Sequence, residues 1–373
     1  VACVVGGTGV VGRYVVAHLA GRASRFARCY SCSRRPADVA GSGGRGLGKL
    51  RSVQVDLLRD GDGAAAARRD ALADLGVTHL FYAGYAGTNT VAPNLALLAN
   101  ALEAVNTPAL QHVHLVTGTK WYGYGLLPGP FKTPAKETDP RCLAEIFYYN
   151  QQDLLEAKSR EAGATWTWSS SRPHTVIGFS VGSKMNLALV IAVYASLCKE
   201  RGTPLHFPGN QAAFDAIYQM TDSVLLARGV EHLATSPQCA NRAVNITNGD
   251  FIRWRNLWPR IARLFGLEPG TVRPMKLQDV MSTPDKAEAW KRLQAAHGLD
   301  ASKGGYTDLV PSWGFADYVF HGGVDVMSDT GLSRRLGFLE FEDTEEMLLR
   351  VFREFMAARI VPGYGGEGEG EGG

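Results

Sequence analysis

The chain has 373 residues, 45% of them hydrophobic, and a formal net charge of +3. That balance is ordinary for a globular protein of one or two domains. No dense basic block speaks for nucleic acid, and the longest apolar stretch, Leu187 to Leu197, falls short of the roughly 20 residues a bilayer crossing needs.

The first element governs the rest. An apolar run, Val1 to Val5, breaks into glycines at Gly6, Gly9 and Gly12, and a helical apolar pattern follows at Val10, Val11, Tyr14, Val15 and Leu19. A strand, a tight turn and a helix start make the context of a dinucleotide site. Gly6 lets the chain reverse, Gly9 lets a pyrophosphate approach the backbone, and Gly12 lets helix and strand pack closely. The helix N-terminus offers unpaired N–H groups and a positive dipole end to the phosphates.

Further strand-like runs stand at Cys29–Ser33, Ser52–Asp56, His79–Ala83, His112–Thr117 and Trp166–Ser170. Helical stretches alternate with them at 12–20, 63–74, 92–104 and 149–162. Repeated β-α units predict an α/β fold, a Rossmann-type doubly wound parallel sheet with its ligand at the carboxyl ends of the strands. After Pro173 the rhythm changes: helices are expected over Met185–Lys199, Arg253–Phe265, Asp285–His297 and Glu345–Ala358, with a short strand at Val244–Asn248. The expected division is a dinucleotide domain over 1–180 and a smaller, C-terminal, substrate-covering part over 181–362. Some segments of the latter are expected to return to the sheet, as in the extended short-chain dehydrogenase/reductase architecture. The Gly/Glu tail, 363–373, is expected to be disordered.

Cys29 and Cys32 match C-x-x-C, but positions i and i+3 of a strand point to opposite faces, so no metal site is expected. Reduced, buried cysteines suit a cytoplasmic protein. Val1 already stands inside the first strand with no Met before it, so localisation is only weakly constrained.

An NAD site usually carries Asp or Glu at the end of the second strand. Here Ser33-Arg34-Arg35-Pro36 follows. Two guanidinium groups can clamp a 2′-phosphate, so NADP(H) is the expected cofactor. Asp56, ending the third strand, either meets the adenine or caps a turn.

Two segments carry candidate chemistry at the carboxyl edge: Thr117-Gly118-Thr119-Lys120-Trp121-Tyr122 and Phe147-Tyr148-Tyr149-Asn150-Gln151-Gln152-Asp153. A phenol can serve a developing oxyanion if a nearby cation polarises it. The usual Lys four residues after Tyr is missing: Tyr149 is followed there by Asp153 and Tyr148 by Gln152. The cation must come from elsewhere, and Lys120 is the candidate. Local pattern alone leaves a surface lysine and packed tyrosines equally open. His174 reads as a loop or cofactor-edge residue rather than an acid.

The chain resembles the progesterone 5β-reductase/iridoid synthase family, divergent short-chain reductases that reduce activated C=C bonds with NADPH. The resemblance rests on GGTGVVG, SRRP, THLFYAGY, LVTGTKWYG, FYYNQQDLL, TWSSSRPHTVIGFS, KMNLALVIAVYASLCKE, AVNITNGDFIRW, WGFADYVF and LGFLEF, nearly end to end. It implies that Thr8, Gly9 and Val10 hold the pyrophosphate, Arg34 and Arg35 the 2′-phosphate, and Asp56 with Leu57 the adenine. Gly84, Val116, Val176, Ser183, Lys184 and Met185 would line the remaining cofactor groove. Tyr149 would be the catalytic tyrosine, also touching cofactor, and Lys120 the catalytic lysine. Phe315 matches an aromatic beside the substrate; Tyr85, Trp121 and Tyr122 would join it, though such aromatics, like Phe214, are more often core.

The implied reaction is 1,4-addition of hydride to a small apolar enone or enal, in a chain that could form a homodimer. Gly84-Tyr85 and TGTKWY depart from the plant pattern, so steroid or iridoid substrates do not carry over. Two other readings stand beside this one: an epimerase or dehydratase acting on a nucleotide sugar, and a non-catalytic NADP-sensing regulator.

Overall fold

The computed structural model describes residues 1–36, 48–126, 131–161 and 163–364. The chain forms two compact units: Val1–Val176, Met220–Gly249 and Ser328–Phe341 make the first, and Ile177–Gln219, Asp250–Met327 and Glu342–Gly373 the second.

The first unit is built on β1 (Ala2–Val5), β2 (Cys29–Ser33), β3 (Leu50–Gln54), β4 (His79–Tyr82), β5 (His112–Val116) and β6 (Thr167–Arg172). A seventh strand, Arg242–Asn245, pairs with β6, and the sheet runs Arg242–Asn245, β6, β5, β4, β1, β2, β3, with every pair parallel. Its strand order reverses between β1 and β4, the crevice where doubly wound sheets hold ligands. Helix α1 (Gly12–Ala20) packs with the Ser223–Thr235 helix, while α2 (Ala64–Leu72), α3 (Val91–Val105) and α4 (Phe147–Ser159) form a row against one another. β1, ACVV, reads as a continuous apolar run because both faces of the sheet are covered, and it is buried along its whole length.

β3 starts and ends two residues before its predicted bounds, so Asp56 lies beyond the strand, where its Oδ1 accepts the Leu58 N–H at 3.0 Å. This turn cap is the bland role the sequence allowed for it.

One face of the sheet carries a polar ladder. Thr167 Oγ1 and Ser169 Oγ flank the His112 ring at 2.8 Å each, and Ser169 Oγ and Ser171 Oγ flank the His114 ring at 2.8 and 3.0 Å. Both imidazoles are buried, and burial depresses the pKa of His112 to about 3 and that of His114 well below the usual value. The hydroxyl partners satisfy rings that would otherwise be costly to bury.

The six cysteines are free, and Cys29 points its thiol at the Val16 carbonyl while Cys32 packs in the opposite core with Cys3. No group of His, Cys, Asp and Glu suited to a metal exists among the described residues, nor any helix long and apolar enough to cross a membrane.

The second unit is organised by the apolar helix Leu187–Glu200, capped by Asn186, whose side chain accepts the Leu189 N–H at 3.2 Å and donates to Ser180 O at 2.6 Å. Phe207, Trp254, Trp258 and Phe320 interlock edge to face there, with Phe207–Trp258 and Trp254–Phe320 centroids 5.1 and 5.2 Å apart. The amphipathic helix Thr344–Ala357, capped by Asp343, closes the unit. The segment 365–373, most of the expected disordered tail, lies outside the described residues.

Candidate active site

The glycine turn fits a dinucleotide on geometric grounds. Gly6 has φ +83, and a Cβ there would meet Ala83 O at 2.6 Å; at Gly12 a Cβ would meet Gly6 O at 2.1 Å. Only glycine allows the first conformation without strain, and only the missing side chain allows the second approach. At Gly9 a Cβ would sit 3.6 Å from Gly6 O, an ordinary contact, so nothing within the protein itself demands glycine there. The α1 N-terminus has no side-chain cap and no acidic residue in its first turn, which leaves Thr8, Gly9 and Val10 beside an unopposed positive dipole.

Arg34 and Arg35 stand exposed at the end of β2, where the Ser33 hydroxyl donates to the Arg35 carbonyl and shapes the turn. Leu57 is buried and its carbonyl accepts from Asn100 Nδ2 at 2.6 Å. Gly84 follows β4, where a Cβ would crowd Tyr82 at 3.0 Å, and Val116 ends β5. Val176 closes the first segment of this unit. Ser183, Lys184 and Met185 belong to the second unit, as do Phe214 and Phe315. In that unit Ser183 Oγ accepts the Met185 N–H at 3.3 Å, and Phe315 stacks on Tyr318 at 6.2 Å. Phe214 packs on the Phe207 core at 4.9 Å.

Beyond β5 the chain turns through Thr119–Tyr122, a single 3-10 turn carrying Lys120. Lys120 is half-buried, and burial lowers its pKa from the ordinary lysine value. Trp121 and Tyr122, expected against substrate, are instead packed inward. The Trp121 ring meets that of Tyr149 edge to face at 4.6 Å and lies 3.8 Å from the Arg172 guanidinium. The Tyr122 hydroxyl donates to Asn245 Oδ1 at 2.6 Å and accepts from Arg172 Nη1 at 3.1 Å. Tyr85 alone of the three stays exposed, its hydroxyl 3.3 Å from Asn89 Oδ1.

The two tyrosines opening α4 point in different directions, as neighbours 100° apart on a helix must. The Tyr149 hydroxyl donates to Trp121 O at 2.5 Å and accepts the Cys142 N–H at 2.9 Å. Arg141 lies over its ring at 5.0 Å and pairs with Asp153 one turn on, so this side of α4 faces the 141–142 loop. Tyr148 turns to the end of β5: a methyl group on Gly118 would lie 3.6 Å from its hydroxyl. Burial, with Tyr85 as a second influence, raises the Tyr148 pKa to about 12, which keeps the phenol protonated and able to donate. Sequence reasoning named Tyr149 for the donor, with Gly118 and Tyr148 inside the same two segments, and gave no role to Arg172 or Asn245. For Arg172 the one available signal was a charged residue at the end of an otherwise buried strand. His174, beside this site, hydrogen-bonds Thr119 Oγ1 through Nδ1 at 2.7 Å, and burial depresses its pKa to about 3. It is held neutral, in keeping with a structural part.

The strand order and glycine turn define a Rossmann-type nucleotide-binding fold. Thermus thermophilus UDP-glucose 4-epimerase in complex with NAD shares it, with a TM-score of 0.62 and 16% identity over 96% of this chain and 99% of that one. The chain belongs to the PRISE-like Rossmann-fold domain family, whose model it matches over residues 2–362. Curated relatives include an (S)-8-oxocitronellyl enol synthase of Nepeta racemosa, 33% identical over 97% of this chain and 93% of that protein. A 3-oxo-Δ(4,5)-steroid 5β-reductase of Arabidopsis thaliana is 31% identical over the same shares, 97% and 93%.

Proposed function

We propose that the protein is an NADPH-dependent reductase of activated C=C bonds, with Tyr148 as hydrogen-bond donor and Lys120 as its cationic support. The observation that carries this reading is the Tyr148 hydroxyl beside Gly118, at the end of β5, two residues from Lys120. The names of the relatives, an enol synthase and a Δ(4,5)-steroid 5β-reductase, support the reaction class. NAD held by a neighbour of the same fold supports a nicotinamide dinucleotide. Arg34 and Arg35, with no carboxylate beside them in Ser33-Arg34-Arg35-Pro36, favour the 2′-phosphorylated form.

The uncapped α1 N-terminus and the glycine turn would hold the pyrophosphate, and Arg34 and Arg35 the 2′-phosphate. When bound, NADPH supplies the hydride that reduces the β-carbon of an α,β-unsaturated carbonyl. Tyr148 donates to the carbonyl oxygen, where negative charge develops, and so stabilises the transition state more than the ground state. Lys120 strengthens that donor by favouring negative charge on the phenol. Solvent protonates the α-carbon.

The test follows NADPH absorbance with a panel of small enones, cyclohexenone among them, for the wild type, Tyr148→Phe and Tyr149→Phe. The reading expects turnover in the wild type, a fall of about a hundredfold or more in Tyr148→Phe, and activity kept in Tyr149→Phe. The opposite ranking would return the donor role to Tyr149. Binding of NADPH with no turnover of any enone would point to a sensing protein instead.

A further inference from the structure

A cavity of about 400 Å³ opens in the first unit between α4, β6 and the strand Arg242–Asn245. None of its lining residues belongs to the glycine turn or to the Gly118–Tyr148 pair. Its walls include Trp166 and Trp168 of the β6 segment, Gln152 and Glu156 of α4, and Arg172. Arg172 is 2% exposed. Its guanidinium lies 3.8 Å from the Trp121 ring, Nη1 donates to the Tyr122 hydroxyl at 3.1 Å, and Nη2 reaches Gln152 Oε1 only at 3.5 Å. Nε is buried without a hydrogen-bond partner among the described residues.

A buried cation with an unmatched N–H is costly unless an anion completes it. The Nε–Nη2 edge is the one that grips a carboxylate side-on through two parallel N–H···O bonds. Of the cavity's own carboxylates, Glu137 lies near enough to act on the Arg172 charge but spends Oε1 on the Asn245 N–H at 2.8 Å, and Glu156 takes Gln152 Nε2 at 2.9 Å and Arg160 at 3.4 Å; neither hydrogen-bonds the Arg172 guanidinium among the described residues. Two indole walls suit a flat or apolar body. Two acids in the lining disfavour a dianion such as phosphate, which they would repel.

We propose that this cavity is a binding site for a small monocarboxylate, its carboxyl on the Nε–Nη2 edge of Arg172 and its apolar body against Trp166 and Trp168. Gln152, whose contact with Nη2 is the weakest of the set, yields its place to one carboxylate oxygen.

Sodium benzoate is the probe, with the full chain, read by titration calorimetry and by tryptophan fluorescence. One saturable site per chain is expected, with Kd in the millimolar range or tighter, undisturbed by saturating NADP+. Benzamide, the neutral isostere, is expected not to bind. Arg172→Lys keeps the charge but loses the fork and should weaken benzoate about tenfold or more. Ala243→Phe adds bulk to the cavity lining, leaves Arg172 in place and should abolish binding, and so gives a result even if the arginine variant does not fold. Absence of saturable benzoate binding, equal binding of benzamide, displacement by NADP+, or unchanged affinity in folded Ala243→Phe would each overturn the proposal.

Discussion

The Tyr149 hydroxyl donates to the Trp121 carbonyl at 2.5 Å and so ties the start of α4 to the turn that carries Lys120. Removing it leaves a buried carbonyl and the Cys142 N–H unmatched, a loss of about 1–3 kcal/mol. Tyr149→Phe is therefore expected to lower Tm by a few degrees while enone reduction survives. Tyr148→Phe, whose hydroxyl makes no such tie among the described residues, is expected to keep Tm and lose turnover. Thermal melts beside kinetics check both halves.

Lys120 is held below the ordinary lysine pKa by burial. The ammonium is the supporting form, so kcat should fall as pH rises through that lowered pKa, ahead of the usual lysine range. Lys120→Arg, which stays charged, should push the alkaline limb upward, and Lys120→Met should lower kcat and remove the limb. A pH–rate profile with each variant measures this.

Arg34 and Arg35 bear on the choice of cofactor. Each charge-assisted bond to a 2′-phosphate is worth about 1.5–3 kcal/mol, or roughly ten- to a hundredfold in affinity. Replacing both by Ala should raise the KM for NADPH by at least that factor and leave that for NADH almost unchanged. Unchanged discrimination would mean the loop is only a solvated basic surface.

The histidine ladder makes a prediction about acid. With the folded pKa of His112 depressed to about 3 and that of His114 held well below its usual value, the unfolded chain binds more protons as pH falls from roughly 6.5 toward 3. Stability is thus fully present above the unfolded value of about 6.5 and declines as pH falls, by up to about 1.4 kcal/mol per pH unit for each ring. Burial also holds His79 down, to about 4, and it adds to the same slope. Urea unfolding from pH 7.5 to 4.5 should show the decline. His112→Asn should flatten it even where it lowers stability at neutral pH.

Much of the sheet could be read from the sequence because a buried parallel strand is an apolar run and a dinucleotide turn is a glycine pattern; both are local. β3 was read two residues late because its edge position leaves three of its five residues exposed, and so blurs the apolar signal. The seventh strand was found with shifted bounds, but its partner, β6, lies about seventy residues away, and no local pattern announces such pairing. The choice between the two tyrosines is hard to read from the sequence for a sharper reason. Adjacent aromatics on a helix differ by 100° in direction, and only the loop against which each packs decides which one faces the end of β5. Trp121 and Tyr122 looked like cavity aromatics, and the buried cation that draws them inward, Arg172, sits fifty residues on.

The sheet's last strand, Arg242–Asn245, has a bearing on how the molecule can be cut and made. A fragment ending at Val176 would carry the whole glycine turn and both tyrosines, yet expose β6 as an unprotected edge, an invitation to aggregate. On the ribosome the same dependence delays completion of the nucleotide-binding half until most of the chain has emerged, so nascent β6 must wait for its neighbour or be shielded by a chaperone.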